Sequence, residues 1–279
     1  MTTTQSTAIA RFRALHESGC FLLPNPWDVG TALYLQHLGY QALATTSSGV
    51  AFARGLPDGV AGMPLEAMLA HFREIAAATA LPVNADFQSG YADEPEGVAQ
   101  NVALCIATGV AGLSIEDATG DAVAPLYERN LAIERVKAAR AAIDASGVPV
   151  VLTARCEAWL VGHPDAARIV PDRIAAFAVA GADCLYAPGL RTPEQIAEIV
   201  RAAAPKPVNV LIGAPHPTLT LSRLEDLGVR RISVGSALSR VAWGAFLRAA
   251  KGLLTGSFDA LGDAAPYAEL NGFFSRQEP

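Results

Sequence analysis

Short apolar runs alternate along this chain with longer, alanine-rich, helix-like stretches. The runs lie at 21–25, 42–47, 83–88, 112–117, 150–156, 184–189, 208–212 and 231–235. They are rich in Val, Ile and Leu and end in polar or glycine-containing turns, as buried parallel strands do. The spacing predicts helices between them, among others at 28–38, 65–79, 95–108, 131–145, 193–203 and 236–254. Pro82, Pro149 and Pro207 each stand before a run and end the preceding helix. Gly39, Gly109, Gly181 and Gly228 read as helix C-caps.

Eight strand–helix repeats are the arithmetic of an α/β chain closed into a (β/α)₈ TIM barrel. An open doubly wound sheet would want a glycine-rich phosphate turn after an early strand, and the sequence has no GxGxxG. Residues 1–279 therefore read as one barrel domain. A C-terminal helical tail from about 255 carries Tyr267, Leu270, Phe273 and Phe274, and is expected to pack on a neighbour.

Composition narrows the function classes. Hydrophobic residues are 51% and charged residues 17% of the 279, which describes a globular chain with a large core. The formal net charge is −6 and no basic run occurs, so nucleic acid is not expected as a partner. Residues 29–53 and 97–115 lack Asp, Glu, Lys and Arg. Their Gln, Asn, Thr and Gly content reads as helix, stop and strand rather than a membrane span. No secretory signal is evident. Cys20, Cys105, Cys156 and Cys184 form no CxxC and read as reduced thiols of a cytoplasmic protein. His16, His37, His71, His163 and His216 are expected at the surface or in loops.

Barrel chemistry sits at the C-terminal ends of the strands. Those ends offer Asn25 and Asp28; Thr46, Ser47 and Ser48; Asp86 and Gln88; Glu116 and Asp117; Arg155 and Glu157; and Asn209. Asp86 and Glu116 are hard oxygen ligands on adjacent strands, suited to Mg²⁺ or Mn²⁺. Arg155 offers a donor fork for a carboxylate. Backbone N–H groups near Ser48 and Gly49 could bind a further oxygen. The plainer readings are that Arg155 pairs with Glu116 structurally, and that Asp28 and Asp58 cap helices or turns.

The segments NPWDVGTA (25–32), TTSSGVAFARGLPDG (45–59), NADFQSGYAD (84–93), GLSIEDATGD (112–121), LTARCEAWL (152–160) and ISVGSAL (232–238) resemble the isocitrate lyase/phosphoenolpyruvate mutase superfamily, in its order. The resemblance implies a barrel whose last helix is exchanged between subunits of a homotetramer or homodimer. It implies Asp86 and Glu116 at a Mg²⁺ (or Mn²⁺), Asp58 ordering the metal's waters, and Arg155 on a substrate carboxylate. It further implies a Ser48-Gly49-Val50 oxyanion loop; Ser47 and Asn209, from their strand-end positions, are expected at the substrate as well.

Three departures shape the expected reaction. The superfamily's lyases carry a KKCGH-like loop with an acid–base Cys, whereas 118–130 has no Cys, Lys or His. Its phosphonate enzymes carry a His-Ser pair after the sixth strand, where this chain has Pro188-Gly189. Gln88 replaces a second acid. The expectation is a Mg²⁺-dependent lyase of a small 2-oxo or 2-hydroxy acid such as pyruvate, oxaloacetate or 2-oxoglutarate. It would work through an enolate, with Tyr127, Glu157 or His163 as proton donor. The alternatives are P–C chemistry on phosphonopyruvate or phosphoenolpyruvate, and an oxo-acid-binding barrel without turnover.

Overall fold

The computed structural model describes residues 2–59 and 62–276. Eight parallel strands form one sheet: β1 (Phe21–Leu23), β2 (Leu43–Ala44), β3 (Val83–Asp86), β4 (Gly112–Glu116), β5 (Val151–Arg155), β6 (Cys184–Tyr186), β7 (Val208–Leu211) and β8 (Arg231–Ser233). Their order is β1-β8-β7-β6-β5-β4-β3-β2. The remaining seam, between β1 and β2, is joined by Ala44 N–H donating to the Pro24 carbonyl at 3.0 Å. Asn25 bridges the same seam. Its Nδ2 donates to Thr45 O at 2.9 Å, and its Oδ1 accepts from Val234 and Gly235 N–H at 3.0 and 2.9 Å. The chain is thus a (β/α)₈ barrel, and Asn25 fastens it.

The helices are α1 (Thr3–Leu15), α2 (Val29–His37), α3 (Ser47–Ala53), α4 (Leu65–Ala78), α5 (Pro95–Ile106), α6 (Arg129–Ser146), α7 (Ala166–Val179), α8 (Pro193–Ala203) and α9 (Leu221–Asp226). Together with the strands they make one compact unit ending at Ser236. A second unit holds α10 (Ala237–Leu254), a 3₁₀ turn (Asp259–Asp263) and α11 (Tyr267–Phe274). Residues 277–279 of the expected tail lie outside the described residues.

Every predicted strand forms, shorter than its apolar run, because the polar ends leave the ladder for site and cap bonds. The second run is the extreme case. Thr46 caps α3 by accepting Gly49 N–H at 3.2 Å, so Ser47 starts a helix instead of ending a strand. Asp28 is the cap it could have been, in a reciprocal capping box with Thr31. The four glycines that follow helices all have left-handed backbone, φ 86° to 107°. The opposite, N-terminal end of the barrel is covered by α1. Its Phe12 is fully buried against Gly112, where a Cβ would come within 2.7 Å of the ring. Among the described residues no helix is long and apolar enough to cross a membrane. All four thiols are free, and Cys105, Cys156 and Cys184 are buried.

Two histidines correct the surface expectation. His71 is 3% exposed on the inner face of α4, and His16 is half-buried at the end of α1. An isolated histidine carries no periodicity, so only packing decides its burial. Burial, then nearby Arg54, lowers the His71 pKa to about 4, opposed by Asp28. Its Nε2 has no partner among the described residues. Between the ordinary value of 6.5 and about 4, the unfolded chain binds the extra proton. His71 therefore subtracts stability as pH falls through that window. Thermal unfolding at pH 8 and pH 5 checks this: His71→Leu should change the midpoint more favourably at pH 5. An identical change at both pH values would remove His71 from the acid response.

Candidate active site

The last residues of four consecutive strands meet at the C-terminal mouth: Asp86 of β3, Glu116 of β4, Arg155 of β5 and Tyr186 of β6. Glu116, Arg155 and Tyr186 lie in direct register. One Arg155 nitrogen, Nη1, donates to Asp86 Oδ1 at 2.8 Å and lies 2.6 Å from Glu116 Oε1. Its Nε donates to Glu157 Oε1 at 2.8 Å. The guanidinium carbon lies 4.7 Å above the centre of the Tyr186 ring, within cation–π range. Arg155 therefore pairs with Glu116, as its plainer reading expects, and with Asp86 and Glu157 besides.

The other expected residues divide. Ser47 N–H donates to Asp86 Oδ2 at 2.8 Å, and the Ser48 hydroxyl donates to exposed Asp58 at 2.6 Å. In the first turn of α3, Gly49 and Val50 N–H bond to Thr46, which leaves the Ser48 amide as the open donor among the described residues. Asn209 is 1% exposed, and its amide is occupied by Arg231 and Ser233 inside the barrel. Asp117 accepts Glu157 N–H at 2.7 Å and Arg173 at 2.9 Å, so it buttresses the site. Tyr127 donates to Asp93 at 2.5 Å, and His163 accepts from Asp165 N–H. Of the three proton-donor candidates, only Glu157 joins the cluster.

Three carboxylates thus share one guanidinium, with side chains between 2% and 16% exposed. Burial holds the Glu116 pKa well above the carboxylate range; Arg155 opposes this, while Glu157, Asp86 and Asp58 add to it. Burial likewise raises Glu157, again against Arg155. Burial alone would lower the Arg155 pKa, but Glu116, Glu157, Tyr186 and Asp86 outweigh it and push the value up.

The loop after β3 completes the site. Gln88 and Tyr91 adopt left-handed backbone, φ 48° and 55°, which is strained for residues with a Cβ. The buried Arg135 holds this loop by donating to the carbonyls of Ser89, Ala92 and Asp93, with its guanidinium 3.8 Å from the Tyr127 ring. Gln88 Oε1 and Tyr91 Oη are buried without a partner among the described residues. The Tyr91 phenol is held protonated by burial and then by Asp86, Glu116 and Asp58.

No group of three or more His, Cys, Asp or Glu among the described residues is arranged to hold a metal ion by itself. What the mouth offers is two hard carboxylates, Asp86 and Glu116, converging on one point. That set fits a hard ion that keeps most of its waters, as Mg²⁺ does. Tyr186, Arg135, Arg173 and Arg231 were not anticipated as parts of the site. Tyr186 had a usable signal, since it lies two residues beyond Cys184 on the same strand face. The arginines sit on helices or strand starts and carry no such mark.

A closed parallel barrel with an acidic, arginine-centred mouth defines a class of lyases and mutases, and sequence comparison places the chain within it. The model of the phosphoenolpyruvate phosphomutase family matches residues 12–254, and the chain belongs to that family and to the isocitrate lyase/phosphoenolpyruvate mutase superfamily of enzymes. It is 35% identical over 266 residues to an uncharacterized protein of Mycobacterium tuberculosis, covering 93% of this chain and 94% of the other. It is 31% identical over 229 residues to an oxaloacetate decarboxylase of Rhodopseudomonas palustris, covering 80% and 73%. Among solved structures, a provisional lyase/mutase of Burkholderia cenocepacia superposes with a TM-score of 0.94 at 44% identity over 99% of both chains. An oxaloacetate acetylhydrolase holding its product oxalate does so at 0.83 and 26% identity, over 98% and 95%.

Removing one partner of a buried ion cluster leaves charge uncompensated. Arg155→Met should therefore cost about 3–5 kcal/mol in urea unfolding, and Glu157→Gln in that background should restore part of it. A loss within error of zero would show that the cluster is solvated.

Proposed function

We propose that this chain is a Mg²⁺-dependent carbon–carbon lyase of a small 2-oxo or 2-hydroxy acid, with oxaloacetate decarboxylation or cleavage as the first reaction to test. The observation that carries it is the convergence of Asp86, Glu116 and Glu157 on the Arg155 guanidinium at the barrel mouth. Bound Mg²⁺ supplies Lewis-acid polarisation of the substrate carbonyl and stabilises negative charge on its oxygen. Asp86 and Glu116 would hold the ion, with Gln88 and Asp58 accepting from its waters. Arg155, relieved of those two carboxylates, turns donors to the substrate carboxylate while Glu157 keeps its Nε oriented. The Ser48 amide donates to a substrate oxygen. Glu157, whose buried carboxyl retains a proton more readily than an exposed one, is the candidate to return a proton to the product carbon.

The support from relatives is that oxaloacetate is the named substrate of both a decarboxylase and an acetylhydrolase resembling this chain. The family model's own name favours a second reading, P–C bond chemistry on phosphoenolpyruvate. Against it, the end of β6 offers Tyr186, Pro188 and Gly189 and no His-Ser pair.

The test is a substrate panel with Mg²⁺, read by pyruvate, acetate and oxalate formation and by phosphorus NMR. The expected result is C–C cleavage abolished by EDTA, restored by Mg²⁺, inhibited by oxalate, and reduced at least about 100-fold by Asp86→Ala. Phosphonopyruvate as the only turned-over compound would favour the second reading. Oxo-acid binding without any product would leave a binding barrel.

The C-terminal unit exposes Val241, Trp243, Phe246, Leu247, Leu254 and Phe258, more apolar surface than a solitary helix tolerates. It is proposed to pack on a second copy in a homodimer or homotetramer. Light scattering checks this: Trp243→Asp with Phe246→Asp should lower the assembly's mass, and an unchanged mass would refute the assignment.

A further inference from the structure

Below the pocket lies a second buried guanidinium that the proposed chemistry does not use. Arg231 opens β8 and is 2% exposed. Among the described residues no carboxylate pairs with it. Its Nε donates to Asn209 Oδ1 at 2.9 Å and its Nη2 to Thr153 Oγ1 at 3.0 Å, the latter on β5 across the barrel. Its Nη1 lies 3.3 Å from His16 Nε2.

Two of these neutral partners, His16 and Asn209, are themselves oriented. His16 Nδ1 lies 2.7 Å from the Phe12 carbonyl, so it carries the ring proton and leaves Nε2 as an acceptor for Arg231. Burial and then Arg231 lower the His16 pKa to about 3, which keeps the ring neutral. Asn209, with Oδ1 taken by Arg231, presents Nδ2 to Ser233 Oγ at 3.0 Å. Asn209 stands in register between Arg231 of β8 and Tyr186 of β6. Tyr186 is the surface on which the Arg155 guanidinium lies. A row of paired polar residues therefore runs from Arg231 through Asn209 and Tyr186 to the arginine of the mouth.

A parallel barrel fills its interior most readily with branched apolar side chains. A buried cation without a counter-charge is costly and calls for an explanation. The mouth above has the opposite imbalance, three carboxylates on one guanidinium. The Thr153 hydroxyl that accepts from Arg231 lies two residues before Arg155 on the same face of β5, so the two arginines stand in adjacent layers of the barrel.

We propose that Arg231 is a positioning residue for substrate binding: through Asn209 beside Tyr186, and through Thr153 below Arg155, it holds the face that seats Arg155, and its charge offsets part of the carboxylate excess around that arginine. This rests on the reading of the mouth as an oxo-acid site. Arg231 touches no substrate; it sets where the Arg155 donors point and how firmly Asp86, Glu116 and Glu157 hold them.

Three variants separate the two effects. Ser233→Ala removes the acceptor that orients the Asn209 amide and keeps both charges. Arg231→Lys keeps the charge and loses the donor fork. Arg231→Met loses both. The primary measurement is the calorimetric affinity for oxalate with Mg²⁺ at 20 °C, on protein whose thermal midpoint lies far above that temperature. Oxalate should bind about 3–10-fold more weakly to Ser233→Ala and more than about tenfold more weakly to Arg231→Met, with Arg231→Lys between them. A merely structural role would lower the thermal midpoint and leave the affinity of folded protein unchanged. Parent-like affinity in folded Ser233→Ala and Arg231→Met overturns the proposal.

A second measurement needs no ligand. The Arg155 Nε–H resonance, assigned by its loss in Arg155→Lys, should exchange with solvent at least about tenfold faster in Ser233→Ala. If the parent does not bind oxalate, the functional reading of the mouth fails. The exchange rate then decides the positioning role alone: faster exchange supports it and unchanged exchange overturns it.

Discussion

Asp86 and Glu116 end neighbouring strands, and Glu157 follows the strand beside them. Left alone, three largely buried carboxylates at this spacing would repel and take up protons. The Arg155 guanidinium is what lets them coexist, with one nitrogen shared by two carboxylates and a second aimed at the third. The planar fork and the permanent charge of arginine suit this, and lysine would supply only a point charge. The same contacts hold Arg155 over Tyr186. Under the proposed function, the interaction that stabilises the resting mouth is also the one that substrate and metal would rearrange.

Arginine does similar work elsewhere in the barrel. Arg135 neutralises the carbonyl cluster of the loop after β3, and the strained Gln88 and Tyr91 conformations persist within that hold. Arg173 secures Asp117, which receives the Glu157 amide. Arg231 spans the interior between β8 and β5. The barrel is apolar where its helices pack on its strands and polar along its axis. Its stability and its pocket geometry are therefore coupled through the same side chains.

The lack of a cysteine acid after β4 changes where proton chemistry can take place. The stretch from Ala118 to Leu126 is closed by a bridge between those two residues, and Thr119 bonds to Ala124 within it. Its one acid, Asp121, is exposed and accepts Val123 N–H at 2.7 Å. The proposed function therefore assigns the role of the acid to a buried carboxyl.

The strands, most helices and their caps were legible in the sequence because they depend on local order. Apolar runs bounded by proline and glycine mark β1 to β8, and a glycine follows where α2, α5, α7 and α9 end. Asp86, Glu116 and Arg155 were legible too, since a strand-end position in a barrel predicts convergence whatever the partner. The early end of β2 was not, because the Thr46 cap competes with the ladder and only the closed seam at Asn25 decides between them. Nor were the burial of His71, the commitment of Asn209 to Arg231, or the seat of Arg155 on Tyr186. His16 and Arg231 are 215 residues apart in the chain, and Arg155 and Asp86 are 69 apart. Local sequence sets which residues lie on which face and at which end of a strand. Which of them share a hydrogen bond or a charge is set by barrel closure, which brings distant strands to a few ångströms and leaves water no room to satisfy the remainder.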